Sequence, residues 1–274
     1  MSPRRRVFFV SDRTGITVEA LGSSLLTQFA DVDFLRVTLP FIDSIPKAIQ
    51  VVAQVNEARR DSGQRPLLFS SIVDDEVRTE IRKCDALVLD VFERFIVPLE
   101  GELGVKSLHA VGRSHSAGNV KDYNHRIEAI NYTLSHDDGV THRGLEEADI
   151  VLIGVSRSGK TPTCLYMAMQ FGIKAANYPL TEEDLERDAL PARLKPCRGR
   201  LYGLMIDANR LAQVREARRP GSKYATIEQC KRELVLADQL FRRESLPSLN
   251  TTSTSIEEIA SKILAHLGIE RHMF

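Results

Sequence analysis

Tryptophan is absent from the 274 residues, and cysteine is scarce: Cys84, Cys164, Cys197 and Cys230 stand far apart, with no C-x-x-C pair. That spacing argues against a disulfide framework or a thiolate zinc site and for buried free thiols in a reducing cytosol. Net charge is missing too. Thirty-seven Lys and Arg balance 37 Asp and Glu, so the chain lacks the basic excess of a nucleic-acid coat or a membrane-surface protein. No apolar run approaches the ~18 residues of a membrane span. The run at Val7–Val10 breaks at Ser11-Asp12, too early for a secretory signal. Low-complexity tracts and short-period repeats are also lacking. These absences lead to the expectation of a cytoplasmic protein with no nucleic-acid or membrane partner. What is present is 43% hydrophobic residues, enough to fill real cores, in a length suited to two modest domains.

The first hundred residues alternate short apolar runs with helical patterns. Val7–Val10, Phe34–Leu39, Pro66–Phe69 and Ala86–Asp90 read as strands. A helix after the first is expected to present Val18, Leu21, Leu25 and Phe29 on one face; the next is lined by Ala48, Val51, Val52, Val55 and Ala58. Strands alternating with helices imply parallel pairing in an open α/β sheet. Residues 104–147 differ, with five of the seven histidines, at 109, 115, 125, 136 and 142. Gly112–Asn119 reads there as a flexible loop and Tyr123–Leu134 as a helix, and no histidine spacing suggests zinc. The α/β rhythm returns with a strand at Asp149–Ile153, a helix at Thr161–Phe171, a strand at Tyr202–Ile206 and a last helix carrying Ile256, Ile259, Ile263, Leu264 and Leu267. Thr254 with Glu257, or Ser255 with Glu258, offers a capping box for that helix. The expected layout is an N-terminal α/β domain at 1–103, a connecting segment at 104–147 and a P-loop kinase-like domain at 148–274.

The strongest motif is Gly154-Val155-Ser156-Arg157-Ser158-Gly159-Lys160-Thr161, a full G-x-x-x-x-G-K-[ST] with an apolar strand before it and a helix after it. Glycines let successive amides curl around phosphate oxygens, and the helix N-terminus adds positive potential. Lys160 would reach the terminal phosphates and Thr161 would ligate Mg²⁺. D-x-x-G and N-K-x-D motifs do not follow the loop, which disfavours a GTPase switch. The run Leu204–Asp207 ends in a carboxylate; Asp207 reads either as a second magnesium ligand or as the N-cap of a helix at Asn209–Arg218. Arg210, Arg215, Arg218, Arg219 and Lys223 read either as a lid over transferring phosphates or as a solvated basic face.

Phosphoryl transfer to a hydroxyl needs a carboxylate to orient or accept its proton, and Asp137 or Asp138 in His136-Asp137-Asp138-Gly139 supplies one, unless that stretch is a plain turn. Ser11-Asp12-Arg13-Thr14-Gly15 ends a strand, where ligands gather in open α/β sheets.

The stretches VSDRTGITVEAL, YNHRIEAINYTLSHDDG, ADIVLIGVSRSGKTPTCLYMAMQFGIKAANYPL, GLMIDANRLAQVREAR and TSIEEIASKIL resemble, in order and over essentially the whole chain, the bacterial pyruvate, phosphate dikinase and phosphoenolpyruvate synthase regulatory proteins. The resemblance implies a bifunctional enzyme: an ADP-dependent serine/threonine protein kinase that inactivates its target at a threonine beside the catalytic histidine, and a phosphorylase that removes the phosphate with inorganic phosphate, releasing pyrophosphate. Gly159-Lys160 and the run Met169–Ile173 look closer to the phosphoenolpyruvate synthase branch, which makes that synthase the expected protein partner. On this reading Gly154–Thr161 bind ADP, Lys160 and Asp137 or Asp138 are catalytic, and Thr161 and Asp207 hold Mg²⁺. Ser11, Asp12, Thr14 and Gly15, or Arg126, supply a site for inorganic phosphate. Two other readings fit the residues: a P-loop kinase of a metabolite hydroxyl, and a nucleotide-gated binding module without chemistry. Oligomeric state stays open, although regulators of large enzymes are often homodimers.

Overall fold

The computed structural model describes residues 4–107, 120–138, 144–187 and 189–269, apart from the side chains of 120–122. The expected loop at Gly112–Asn119, His109, His115, His142 and Gly139 lie outside the described residues. The chain divides into two compact units, Met1–Ser116 and Ala117–Phe274.

The first unit contains β1 (Arg5–Val10), α1 (Ile16–Leu26), β2 (Phe34–Leu39), α2 (Ile45–Ser62), β3 (Leu67–Ser70), α3 (Asp75–Ile81), β4 (Leu87–Asp90) and α4 (Glu93–Leu103). All pairings are parallel, in the order β2-β1-β3-β4. Alternation along the central strands sends Phe8, Val10 and Leu68 into one core with Ala48, Val51, Val55 and Ala58 of α2. Val7, Phe9 and Phe69 enter the opposite core with Val18 and Leu26 of α1. Both faces of the sheet are thereby covered by helices, as parallel sheets require.

The packing face of α1 departs from the expectation. Val18, Gly22 and Leu26 are buried, while Leu25 is 48% and Phe29 59% exposed. Gly22 explains the rotation. A Cβ there would stand 2.4 Å from Phe9 Cε1 and 3.1 Å from Phe69 Cγ, so the helix backbone lies directly on the stacked pair Phe9–Phe69. A periodicity count that scores only large apolar residues passes over that contact.

The second unit contains α5 (Val120–Ser135), β5 (Ile150–Gly154), α6 (Lys160–Phe171), β6 (Ala175–Pro179), α7 (Glu182–Glu186), β7 (Leu201–Met205), α8 (Ala208–Arg218), α9 (Ile227–Arg243), β8 (Ser248–Asn250) and α10 (Ile256–Leu267). Its parallel sheet runs β6-β5-β7-β8. In both units, then, the first strand lies between the second and the third. Ile150 and Leu152 face Cys164, Met167, Ile259 and Ile263 of α6 and α10. Val151 and Ile153 face Leu211, Leu234, Ala237 and Phe241 of α8 and α9. α5 packs against α6 and β6. Ser255 caps α10, its Oγ accepting the Glu258 amide at 3.2 Å. All four cysteines are buried, and among the described residues no helix is long and apolar enough to cross a membrane.

Candidate functional site

Two glycines, one in a crowded place and one in a left-handed conformation, shape the turn after β5. Gly154 has φ 152°, and a Cβ there would stand 2.5 Å from the carbonyl oxygen of Leu204, so only glycine lets β5 and β7 approach so closely. Gly159, at φ 94°, precedes the first residue of α6. Between them Arg157 adopts a left-handed conformation, φ 75°, which a non-glycine residue holds at a cost of order 1–3 kcal/mol. The turn is therefore strained where it faces the cavity, and other elements hold it in place. Tyr224 donates from its hydroxyl to Ser156 Oγ at 2.8 Å. Thr251 Oγ1, beyond β8, lies 3.0 Å from the Ser158 carbonyl.

The main support is Arg215. It is fully buried on α8, pairs in bidentate fashion with Glu233 of α9 at 2.6 and 3.2 Å, and donates to the Ser156 carbonyl at 3.2 Å. Its guanidinium lies 4.0 Å from the Tyr224 ring centre. The sequence offered two readings of the basic group at 210–223, a phosphate lid or a solvated face. Arg215 fits neither, because its charge is spent on Glu233 under the turn; Arg210, Arg218, Arg219 and Lys223 are exposed. Removing one partner of such a pair strands the other's charge. Arg215→Ala is expected to lower the free energy of unfolding by about 3–5 kcal/mol in urea titrations, and Arg215→Met combined with Glu233→Leu to recover most of that loss.

Lys160 opens α6 and is 4% exposed, its Nζ donating to the Val155 carbonyl at 2.8 Å. Burial pulls its pKa down to about 8, against the opposing pull of Asp138 and Asp137. In the same turn Ser158 Oγ is buried without a hydrogen-bond partner among the described residues.

The turn after α5 delivers the carboxylates. His136 stacks on Tyr132 at 4.0 Å, and its carbonyl accepts the Asn177 amide of β6 at 3.0 Å, which pins the turn to the sheet edge beside α6. Asp138 follows with φ 48°. Thr161 Oγ1 donates to Asp137 Oδ1 at 2.8 Å. Asn177 Nδ2 lies 2.6 Å from Asp137 Oδ1, 3.1 Å from Asp138 Oδ1 and 2.8 Å from Thr161 Oγ1. A cavity of about 250 Å³ is lined by Asp138, Arg157, Lys160, Thr161 and Asn177, among others. A larger groove of about 720 Å³ between α7 and α9 lacks both the glycine-rich turn and the paired carboxylates, so chemistry rather than size selects the site.

The structure thus brings together Lys160, Thr161, Asp137 and Asp138, four residues that the sequence singled out in separate segments. Asn177 escaped that reading. Its signal was a lone amide in the strand run Ala-Ala-Asn-Tyr-Pro, since a buried polar side chain needs partners. Asp207 caps α8, Oδ1 accepting the amides of Asn209 and Arg210. In the first unit, Ser11 Oγ accepts the Arg13 amide at 3.2 Å and Asp12 Oδ2 the Val73 amide at 3.0 Å; Gly15 has φ 80° and Thr14 is exposed. Arg126 is half-buried on α5, in the second unit.

A glycine-rich turn closing a buried strand, a lysine at the following helix N-terminus and a facing pair of carboxylates make a pocket suited to phosphate groups and to transfer at a hydroxyl. The chain belongs to the kinase/pyrophosphorylase family, whose model matches residues 7–264; that description places it among the phosphotransferases. Similar curated proteins span nearly all of it. One from Legionella pneumophila (strain Corby) is 53% identical over 268 residues, covering 98% of this chain and 99% of its own. One from Hahella chejuensis is 51% identical over 270 residues, with the same coverage. One from Azoarcus sp. (strain BH72) is 53% identical over 270 residues, covering 98% of each chain. All three carry the name "Putative phosphoenolpyruvate synthase regulatory protein".

Proposed function

We propose that this phosphotransferase regulates phosphoenolpyruvate synthase in both directions from the cavity at 154–161. In one direction the terminal phosphoryl group of ADP passes to a threonine hydroxyl of the synthase, leaving AMP. In the other, inorganic phosphate takes the group from phosphothreonine, leaving pyrophosphate and the free hydroxyl. The observation that carries this reading is the meeting of Lys160, Thr161 and Asp138 in one small cavity, with Asp137 hydrogen-bonded to Thr161. The names of the similar proteins support the choice of target.

The residues fit a nucleotide's phosphates. The amides of the 154–161 turn and the N-terminus of α6 favour anions, and the buried Ser158 Oγ, without a partner among the described residues, has a hydrogen-bond capacity that a phosphate oxygen would satisfy. Lys160 neutralises charge on the transferring group, and one of the two carboxylates orients the threonine hydroxyl and accepts its proton. The oxygen donors around Thr161 suit Mg²⁺, which when bound withdraws charge from the phosphates.

Phosphorolysis needs a second anion site. Arg126 belongs to the same unit as the cavity; in the Ser11–Gly15 turn, the Ser11 and Asp12 side chains already accept backbone amides. Arg126→Ala is therefore expected to slow phosphorolysis more than phosphorylation in paired assays. The test of the whole reading is to incubate the protein with phosphoenolpyruvate synthase and either ADP or ATP, followed by mass spectrometry. A new phosphothreonine with ADP is expected; an unmodified synthase with both nucleotides would refute it.

A further inference from the structure

The strand-end carboxylate that the sequence offers for a cation, Asp207, is occupied as a helix cap. Its Oδ1 accepts the Asn209 and Arg210 amides at 2.9 and 3.1 Å, and the residue is exposed. Thr161, whose hydroxyl would meet the same cation, turns instead to Asp137, donating to its Oδ1 at 2.8 Å. A hydroxyl that gives its hydrogen to a carboxylate keeps its lone pairs for a cation or another donor.

Asn177 holds this pair together. Its Nδ2 lies 2.6 Å from Asp137 Oδ1 and 2.8 Å from Thr161 Oγ1, and also 3.1 Å from Asp138 Oδ1. Two hydrogens serve three acceptors, so the longest contact is the weakest. The amide oxygen is the second observation. Asn177 is 3% exposed, and its Oδ1 is buried without a hydrogen-bond partner among the described residues. Such an oxygen carries a desolvation penalty that a bound cation, or a water on one, would relieve. The Thr161 hydroxyl and the Asp137 carboxylate, which Nδ2 holds together, are hard oxygen donors of the kind Mg²⁺ takes.

Asp138 is placed differently. It is exposed, takes a left-handed backbone, and lines the cavity beside Lys160, where a substrate hydroxyl has access.

We propose that Asp137, held between Thr161 and Asn177, is the carboxylate that serves the nucleotide's divalent cation, and that Asp138 alone meets the acceptor hydroxyl. This rests on the nucleotide reading above. It divides two adjacent, chemically identical residues by what each touches, and it removes Asp207 from the cation site.

The test reads binding rather than turnover. The full chain is titrated with ADP in a calorimeter, with and without Mg²⁺, and the readout is the gain in ADP affinity that Mg²⁺ brings. Asp137→Asn is expected to lose about tenfold or more of that gain. Without Mg²⁺ its ADP affinity holds or rises, because a negative charge near the phosphates is gone. Asp138→Asn and Asp207→Asn are expected to keep the gain, the latter with a lower melting temperature from its weakened cap. Asn177→Ala, which leaves both carboxylates in the chain, is expected to lose part of it and decides the matter should Asp137→Asn not fold. A full gain in Asp137→Asn or in Asn177→Ala, or its loss in Asp207→Asn, overturns the proposal. Wild-type protein that binds ADP equally with and without Mg²⁺ overturns it and leaves the nucleotide reading standing. Wild-type protein that binds no ADP overturns both.

Discussion

Lys160→Met is expected to reduce phosphorylation and phosphorolysis together, by about 10²–10³-fold or more in kcat/KM, the loss found when one preorganised group aimed at developing charge is deleted. Lys160 is 4% exposed and rests on the Val155 carbonyl, and desolvation lowers its pKa from 10.5 to about 8. At pH 7 it is still an ammonium ion, in a place where that charge is poorly solvated and an incoming phosphate is its best partner. ADP binding should therefore pull the pKa back up, and binding above pH 8 should take up a proton. Calorimetry at pH 8.5, in buffers of different ionisation enthalpy, should show that uptake in the wild type and none in Lys160→Met. ADP affinity should fall as pH rises through about 8.

In the empty protein the same shift acts on stability. Between about 8 and 10.5 the unfolded chain binds a proton that the folded chain has released, so this group's contribution to stability rises with pH across that window. Below it, the buried ammonium is a standing cost. Lys160→Met should accordingly raise the melting temperature of the ligand-free protein at pH 7 while it removes activity. A loss of both activity and stability would mean that the lysine is a structural element of the turn rather than a charge held ready for phosphate.

Asp138→Asn should produce the other large effect, a fall of about 10²–10⁴-fold in kcat for both directions, the range for a positioned general base or acid. ADP affinity should change little, because the carboxylate lines the cavity without bonding the glycine-rich turn in the described structure. A side effect identifies the mechanism. Asp138 is the group that most opposes the burial-driven lowering of the Lys160 pKa. With Asp138 neutral, that pKa drops further, and the high-pH limb of the remaining activity should move to lower pH. A fall in kcat with an unmoved limb would separate the two residues, against the shared cavity described here.

The strands were readable in the sequence because their chemistry is local. Val7–Val10 and Phe34–Leu39 are apolar runs bounded by turn residues, and β1 and β2 lie at those places, β1 beginning two residues earlier. The glycine-rich turn was readable for the same reason, since crowding at Gly154 and the positive φ of Gly159 dictate residue type directly. What escaped depended on distant partners. The face of α1 turns on a glycine whose importance lies in Phe9 and Phe69. Arg215 looked like one more surface cation because Glu233 and Tyr224 lie 18 and nine residues away in sequence. Asn177 is 40 residues from Asp137 and 16 from Thr161, and only the fold brings the three together. The α8 cap at Asp207 needed only two and three residues of chain, and the sequence held that reading beside the metal one.

The proposed transfer in both directions from one cavity is decided by following the phosphate in the reverse reaction. Phosphoenolpyruvate synthase labelled at its threonine phosphate is incubated with this protein and unlabelled inorganic phosphate, and the released label is separated by ion-exchange chromatography. Label is expected in pyrophosphate, with none released without added phosphate and both reactions lost in Lys160→Met. Label released as free orthophosphate, or a Lys160→Met protein that keeps one direction at full rate, would contradict it.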